Sequence, residues 1–277
     1  MTQPIALVVS DVDGTLTNPA GIVSPANQRE IRRVMSRGIH FSIATGRPTR
    51  DLQKVRESLD LALPVIVSNG TMVEDLATGE IIHSLQIERS VILTVLDVIA
   101  KHDVDAVILD TPQGWIYQVR NAAGEPPPWI ISVGDTAHRI EEWNSYLAEE
   151  RTVLKILVEG AEADLQRVEH ALATVPGVQI TASFANNREI FVAHAGKANA
   201  ARLLATRLGI DPSQVLAIGD QRNDIELIRW AGIGVAMGNA VPELKAVADW
   251  VTRSNDEDGV AHALAHFIPD PLLASDA

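Results

Sequence analysis

Two aspartates one residue apart follow a short apolar run. Ile5-Ala6-Leu7-Val8-Val9-Ser10 leads into Asp11-Val12-Asp13-Gly14-Thr15-Leu16-Thr17. In extended backbone, residues i and i+2 point to the same side, so this spacing puts two carboxylates in one small space. Like charges so close resist joint ionisation. Either a cation neutralises them or one keeps a proton, and a nucleophile beside a general acid/base would use both options. Gly14 lets the chain turn sharply. An Asp-Gly surface turn carries the same local signature, so the pair alone does not decide between the two.

Three further places offer complementary groups. Thr45-Gly46-Arg47-Pro48 follows the apolar run Ile39 to Ala44 and precedes a helical stretch reaching about Leu59. A hydroxyl, an unencumbered amide and a helix N-terminus together make a phosphate cradle. Lys197 follows Gly196 at the start of another helical stretch. The helix dipole favours anions there, so a lysine in that place calls for a negative partner such as a phosphate. Gly219-Asp220-Gln221-Arg222-Asn223-Asp224 follows the apolar run Val215 to Ile218. Asp220 is placed to ligate a metal, Asn223 to donate to phosphate or to another loop, and Asp224 to orient Lys197 or a metal-bound water. Taken singly, each place also reads as a helix cap or a solvated lysine. Together they supply a carboxylate nucleophile, an acid, a hydroxyl, a lysine and a metal carboxylate. Magnesium suits such oxygen-only ligands and the need to bridge a phosphate.

The elements that must position these groups read as follows. Ser24-Pro25 is an N-cap with proline at the first helical position, and that helix runs to Arg37, with Gly38 as its stop. Apolar runs at Ile5 to Val9, Ile39 to Ala44 and Pro64 to Val67 alternate with helices. This β-α-β-α-β grammar predicts a parallel sheet, whose sites form beyond the carboxyl ends of its strands. Met72-Val73-Glu74 and Ile81-Ile82-His83 flank Thr78-Gly79 as a hairpin. From about Leu85 to Asn187 the pattern changes to mixed strands and helices. Strands are expected near Asp105 to Asp110, Trp115 to Val119, Val153 to Val158 and Gln179 to Ser183, and helices over Arg139 to Glu149 and Glu162 to Val175. Alternation then resumes with Ile190-Phe191-Val192, the helix Lys197 to Leu208 and the Val215 strand. The expectation is an α/β protein. A Rossmann-like parallel-sheet core comprises residues 1–84 and 188–277, and an inserted α+β cap comprises residues 85–187. Pro269 to Ala277 is expected to be a frayed tail.

Composition narrows the function. The 277 residues suit two domains, and 46% hydrophobic residues can fill both cores. The formal charge of −13 argues against a nucleic-acid or anionic-membrane partner, since both need clustered cations. An anionic substrate would then need local positive charge. With no cysteine, disulfides, thiolate zinc sites and a cysteine nucleophile are excluded. Met1 to Ser10 lacks the basic start of a signal peptide, and Val91 to Ala100 is too short to span a bilayer and contains Asp97. A soluble, cytoplasmic monomer or small homo-oligomer is expected. His262 and His266 stand four apart but lack an acidic third ligand, and they are read as structural; Trp115 and Tyr117 are read as packing within the insert.

In this order the motifs resemble those of the haloacid dehalogenase-like phosphatase superfamily and, more narrowly, its Cof-like sugar-phosphatase branch. The resemblance spans Asp11 to Thr17, Ala44 to Arg47, Ser68-Asn69-Gly70, Lys197 and Gly219 to Asp224. It continues through Val235-Ala236-Met237-Gly238-Asn239-Ala240 and Ser254 to Val260. One departure is Ala198, where the branch often has glycine. The resemblance implies that Asp11 attacks phosphorus, forming an aspartyl-phosphate, and that Asp13 protonates the leaving alkoxide and then activates water. It implies Mg²⁺ held by Asp11, the Asp13 backbone carbonyl and Asp220. Thr45, Gly46, Lys197 and Asn223 would hold phosphoryl oxygens, and Arg47 would contact phosphate or brace its loop. The implied activity is hydrolysis of small phosphate monoesters: sugar phosphates, or pyridoxal- or flavin-type phosphates. The cap would select among them. Phosphosugar mutases resemble the chain in the Asp11 run, but Thr45-Gly46-Arg47 favours the phosphatases. A non-enzymatic phospho-acceptor switch is disfavoured by Asp13, which would shorten the phosphoryl lifetime.

Overall fold

A computed structural model of the protein describes residues 4–59, 61 and 63–270. Of the expected tail, residues 271–277 lie outside the described residues, as do the first three residues of the N-terminal run. In chain order the strands are β1 (Leu7–Ser10), β2 (His40–Ile43), β3 (Val65–Val67), β4 (Met72–Glu74), β5 (Ile81–Ser84), β6 (Ala106–Thr111) and β7 (Gly114–Val119). They continue with β8 (Ala137–Arg139), β9 (Lys155–Glu159), β10 (Val178–Thr181), β11 (Asn187–Val192), β12 (Val215–Gly219), β13 (Ile233–Ala236) and β14 (Trp250–Val251). The chain divides into two compact units, residues 1–83 with 196–277, and residues 84–195.

The first unit is built on a parallel sheet in the order β14-β13-β12-β1-β2. Every residue of β1 and β12 is buried, which is why both read as unbroken apolar runs rather than alternating ones. The strand order has a direct chemical consequence. β1 and β12 are neighbours, with Ser10 opposite Ile218, so the two acidic loops that follow them emerge side by side. The helix Pro25–Ser36 starts as expected: the Ser24 side chain accepts from the Asn27 N–H, and proline occupies the first turn. Asn27 ties this helix to its surroundings, donating to the Leu16 carbonyl and accepting from the Ala261 N–H. The helix Lys197–Leu208 ends at Gly209 with φ of 69°, the left-handed stop that glycine accommodates.

β3 departs from the expected role as a full member of the parallel sheet. It belongs to a three-stranded sheet, β3-β4-β5, and meets β2's end through a single parallel bridge, Ala44 with Ile66. The chain reverses at Ser68–Gly70, so β4 returns antiparallel along β3, with Val67 opposite Met72.

The second unit holds a six-stranded sheet in the order β10-β11-β9-β6-β7-β8. The helices Arg89–Ile99 and Glu162–Leu172 bring Ile92, Val95, Leu165 and Val168 into one core with Val107, Leu109, Ile156 and Val158. Ala106, Ile108, Trp115 and Leu157, which alternate with those strand residues, pack with Ile130 of the short helix Pro128–Ser132. Trp115 is thus a packing residue, edge-on to Trp129 with ring centroids 5.1 Å apart. Two expectations are corrected. The helix foreseen over Arg139 to Glu149 is a single turn, Trp143–Tyr146, because the segment before it pairs as β8 with β7, Trp115 opposite Ala137. Strand pairing overrides local propensity here. The boundary foreseen between residues 187 and 188 falls between 195 and 196. β11 is not a core strand: it lies antiparallel between β9 and β10, with Ile190 opposite both Ile156 and Ile180.

Among the described residues, no helix is long and apolar enough to cross a membrane. His262 and His266 both stack on Trp250, at 5.2 and 4.5 Å between ring centroids, and serve packing.

Candidate active site

The first acidic loop is anchored by the sheet itself, since the Asp11 N–H donates to the Ile218 carbonyl at 2.9 Å. Its carboxylate is buried and accepts from Lys197 Nζ at 2.6 Å. The same ammonium donates to Asp224 Oδ1 at 2.7 Å. These two carboxylates are the negative partners that a lysine at a helix start called for. Burial alone would lower the affinity of Lys197 for its proton, but Asp11 and Asp224 outweigh it and raise its pKa.

Asp224 serves the loop as well as the lysine. Its Oδ2 accepts from the N–H groups of Asp220 and Gln221, at 3.0 and 3.1 Å. Gly219 must be glycine for this to happen, because a Cβ there would lie 2.6 Å from the Asp224 side chain. Asp220 in turn accepts from Thr15 Oγ1 at 2.8 Å. Gly14, with φ of 77°, leaves room for it: a Cβ would stand 2.4 Å from Asp220 Oδ2.

Asp11, Asp220 and Asp224 each offer an oxygen within 4.8 Å of the others. Three buried carboxylates face one ammonium, so negative charge is left over. Its signature is electrostatic. Burial foremost, opposed by Lys197, pushes the Asp11 carboxyl well above its ordinary range. Burial, then Asp224, pushes Asp220 up to about 6. An oxygen-only donor set with unbalanced negative charge is what a hard divalent cation fits.

Without metal, folded Asp220 keeps its proton up to about pH 6, whereas in an unfolded chain it releases it near 3.8. Stability from this group is therefore full below 3.8 and is lost as pH rises through about 6, on the order of 3 kcal/mol. Thermal melts of the metal-free protein should fall over this range. Asp220→Asn should flatten the fall, and Mg²⁺ at neutral pH should raise the wild-type Tm and not the variant's. An unchanged pH slope in Asp220→Asn would refute the assignment.

Asp13 departs from expectation. Its carboxylate does not join the cluster around Asp11 but turns to Arg47, which grips it with Nε at 2.8 Å and Nη2 at 2.5 Å. The same-side rule needs extended backbone, and the chain is already turning here: the N–H groups of Thr15 and Thr17 both donate to the Val12 carbonyl. Arg47 also donates to the Asp51 carbonyl and so braces its own loop. Thr45 Oγ1 accepts from the Arg47 N–H at 3.1 Å, with Gly46 between them. Asn223 takes the loop-bridging option, donating from Nδ2 to Asn69 Oδ1 at 3.0 Å.

Four supporting residues were missed by residue-level reasoning. Thr15 fixes Asp220, and Asn69 fixes Asn223. Asn239 donates to the Gly14 carbonyl and accepts from the Asn255 N–H, while the Asn255 side chain donates to the Thr17 carbonyl. For the three asparagines the signal was their setting: Asn69, Asn239 and Asn255 each stand beside a glycine or serine in a motif of the resemblance. What it ties together depends on strand order.

Residues 8–264 match the family described as haloacid dehalogenase-like hydrolase. The chain belongs to this family. It is a hydrolase of the phosphatase group within it. The chain is 31% identical over 269 residues to 5-amino-6-(5-phospho-D-ribitylamino)uracil phosphatase YcsE of Bacillus subtilis (strain 168), covering 95% of this chain and 96% of that one. It is 27% identical over 288 residues to phosphatase YwpJ of the same organism, covering 95% and 99%. Among solved structures it resembles the phosphatase BT1666 from Bacteroides thetaiotaomicron, with a TM-score of 0.80, 27% identity and 95% of each chain covered. It also resembles a haloacid dehalogenase-like hydrolase from B. subtilis, with a TM-score of 0.84, 25% identity, and 95% and 99% covered.

Proposed function

We propose that this haloacid dehalogenase-like phosphatase hydrolyses small phosphate monoesters by way of an aspartyl-phosphate on Asp11. The observation that carries the reading is the buried Asp11 carboxylate, paired with Lys197 at 2.6 Å and within 4.8 Å of Asp220 and Asp224. An Asp11 oxygen attacks phosphorus while the bond to the leaving oxygen breaks. The departing alkoxide takes a proton from Asp13. Asp13 then takes a proton from water as that water attacks the phosphoryl group, returning Asp11 as a carboxylate and releasing phosphate. Lys197 offsets charge on the phosphoryl oxygens, and Thr45, Gly46 and Asn223 hold them. Asp13 must leave Arg47 to do its work, and the arriving phosphate is the anion that competes for the guanidinium. Mg²⁺ would be held by Asp11, the Asp13 backbone carbonyl and Asp220, and when bound it supplies Lewis-acid stabilisation of phosphoryl charge.

Substrate choice falls to the inserted unit of residues 84–195. The relative YcsE is a phosphatase of a phosphoribitylamino-uracil, which favours substrates with a hydroxylated chain between phosphate and ring, or plain sugar phosphates. The test is phosphate release across a panel of phosphorylated metabolites, with and without Mg²⁺. Many turnovers on one compound class, dependent on the metal, are expected. Isomerised sugar phosphate without released phosphate would replace the reading by a mutase. A stable acyl-phosphate without turnover would replace it by a switch.

A further inference from the structure

The lysine helix begins against a turn that a distant part of the chain supplies. Ser68, Asn69 and Gly70, directly after β3, have φ of 47°, 57° and 82°, three left-handed residues in succession. Side chains with a Cβ resist this region, and such backbone persists where surrounding contacts demand it. The turn is buried and tied down. The Ser68 N–H donates to the Arg47 carbonyl, and the Asn69 N–H donates to the Thr45 carbonyl, both at 2.9 Å. Thr71 closes the turn, its hydroxyl donating to the Ser68 carbonyl at 2.8 Å. So fixed, the turn meets the helix at Gly70. A Cβ on Gly70 would overlap the Gly196 carbonyl group and stand 2.9 Å from the Lys197 nitrogen. The Gly196 carbonyl is the first rung of the helix, accepting from the Ala200 N–H at 3.1 Å. Pressure there would move the first helical turn, not a slack loop.

We propose that Gly70 is a positioning residue for phosphoryl transfer, setting the Lys197 ammonium through its backbone contact with Gly196. The inference rests on the reading above that Lys197 offsets charge on the phosphoryl oxygens. The lysine has little means of correcting a shift of its own helix. Its side chain is 1% exposed, and its ammonium is engaged by Asp11 at 2.6 Å and Asp224 at 2.7 Å. Asp11 is held by the sheet through the Ile218 carbonyl, so it does not travel with the lysine helix. A displaced helix start therefore stretches the Lys197–Asp11 pair. With no side chain at position 70, backbone meets backbone, and atoms without rotamers make a firm stop. The same turn holds the Thr45 and Arg47 carbonyls, so one rigid piece fixes the spacing between the Thr45 loop and the ammonium.

The test compares Gly70→Ala with Gly209→Ala in the full chain with Mg²⁺, using a phosphate monoester that the wild type turns over. Gly209 stands at the far end of the same helix with φ of 69° and has nothing within 4 Å of a Cβ, so its variant carries left-handed strain without a clash. Both variants are expected to melt cooperatively and below the wild type. Gly70→Ala should lower kcat roughly a hundredfold with KM changed by less than about threefold. Its crystal structure should show Lys197 Nζ beyond hydrogen-bond reach of Asp11. Gly209→Ala should keep kcat within about twofold. Equal kcat losses in the two variants would overturn the proposal, because backbone strain alone would then account for them. A loss in Gly70→Ala with the Lys197–Asp11 pair intact would overturn it too, as would wild-type kcat. Should Gly70→Ala fail to melt cooperatively, Thr71→Val takes its place. Valine keeps the shape and removes the hydroxyl bond that closes the turn, so kcat should fall about fivefold with the same pair lengthened, and the same outcomes decide. A wild type that releases no phosphate sinks the underlying reading. An active wild type with equal losses in the two variants sinks only this one.

Discussion

Asp11→Asn should lower phosphate release by at least about 10⁴-fold and leave a folded protein. The amide matches the carboxyl in shape and cannot attack phosphorus. The fold should survive because ionised Asp11 is itself costly: burial holds its carboxyl well above the ordinary range. Lys197 loses one partner but keeps Asp224 at 2.7 Å. Without metal, the variant's Tm should therefore equal or exceed that of the wild type. Mass spectrometry of acid-quenched wild type should show a phosphoryl adduct that the variant lacks. Near-normal turnover in Asp11→Asn would remove the nucleophile assignment. A collapsed melt with turnover lost would make Asp11 structural instead.

Lys197→Met should be the most destabilising substitution in the site. The ammonium is buried between Asp11 and Asp224, and removing it leaves two buried carboxylates without their counter-charge. Breaking a buried pair from one side costs about 3–5 kcal/mol, because the remaining charge is uncompensated. The sign of the pH dependence follows. Lys197 is what opposes the upward push of burial on the Asp11 carboxyl; without it that carboxyl holds its proton more firmly, so the deficit should shrink as pH falls and widen toward neutrality. Adding Asp224→Asn should recover part of the stability and none of the activity. Urea melts of the wild type, the single variant and the pair would check this. Wild-type stability in Lys197→Met would mean that the lysine does not balance these charges.

How much of this was legible beforehand varies by residue. Asp11, Lys197, Asp220 and Asp224 were all singled out, and the structure brings their side chains together. They were legible because each sits just past a local signal: an apolar run that ends, or a glycine before a helix. Asp13 was foreseen in the same space as Asp11 but faces Arg47, since two backbone bonds to the Val12 carbonyl turn the chain first. β11 read as a core strand and pairs within the inserted sheet, because an apolar triplet does not say which strand it will lie beside.

The sequence by itself determined where strands and helices begin and end around the site, and which chemical groups stand at those ends. Apolar run length, capping residues and glycine act within a few residues of chain, so a short window contains them. Only the tertiary structure decided which ends meet. The order of the parallel sheet places β1 beside β12, and that adjacency brings Thr15 to Asp220 across 205 residues and Lys197 to Asp11 across 186. Asn69 and Asn223, 154 residues apart, pair because the turn after β3, which touches the end of β2 through Ala44 and Ile66, meets the loop after β12. Sheet order follows from how whole elements bury one another, and no local stretch of sequence holds that information.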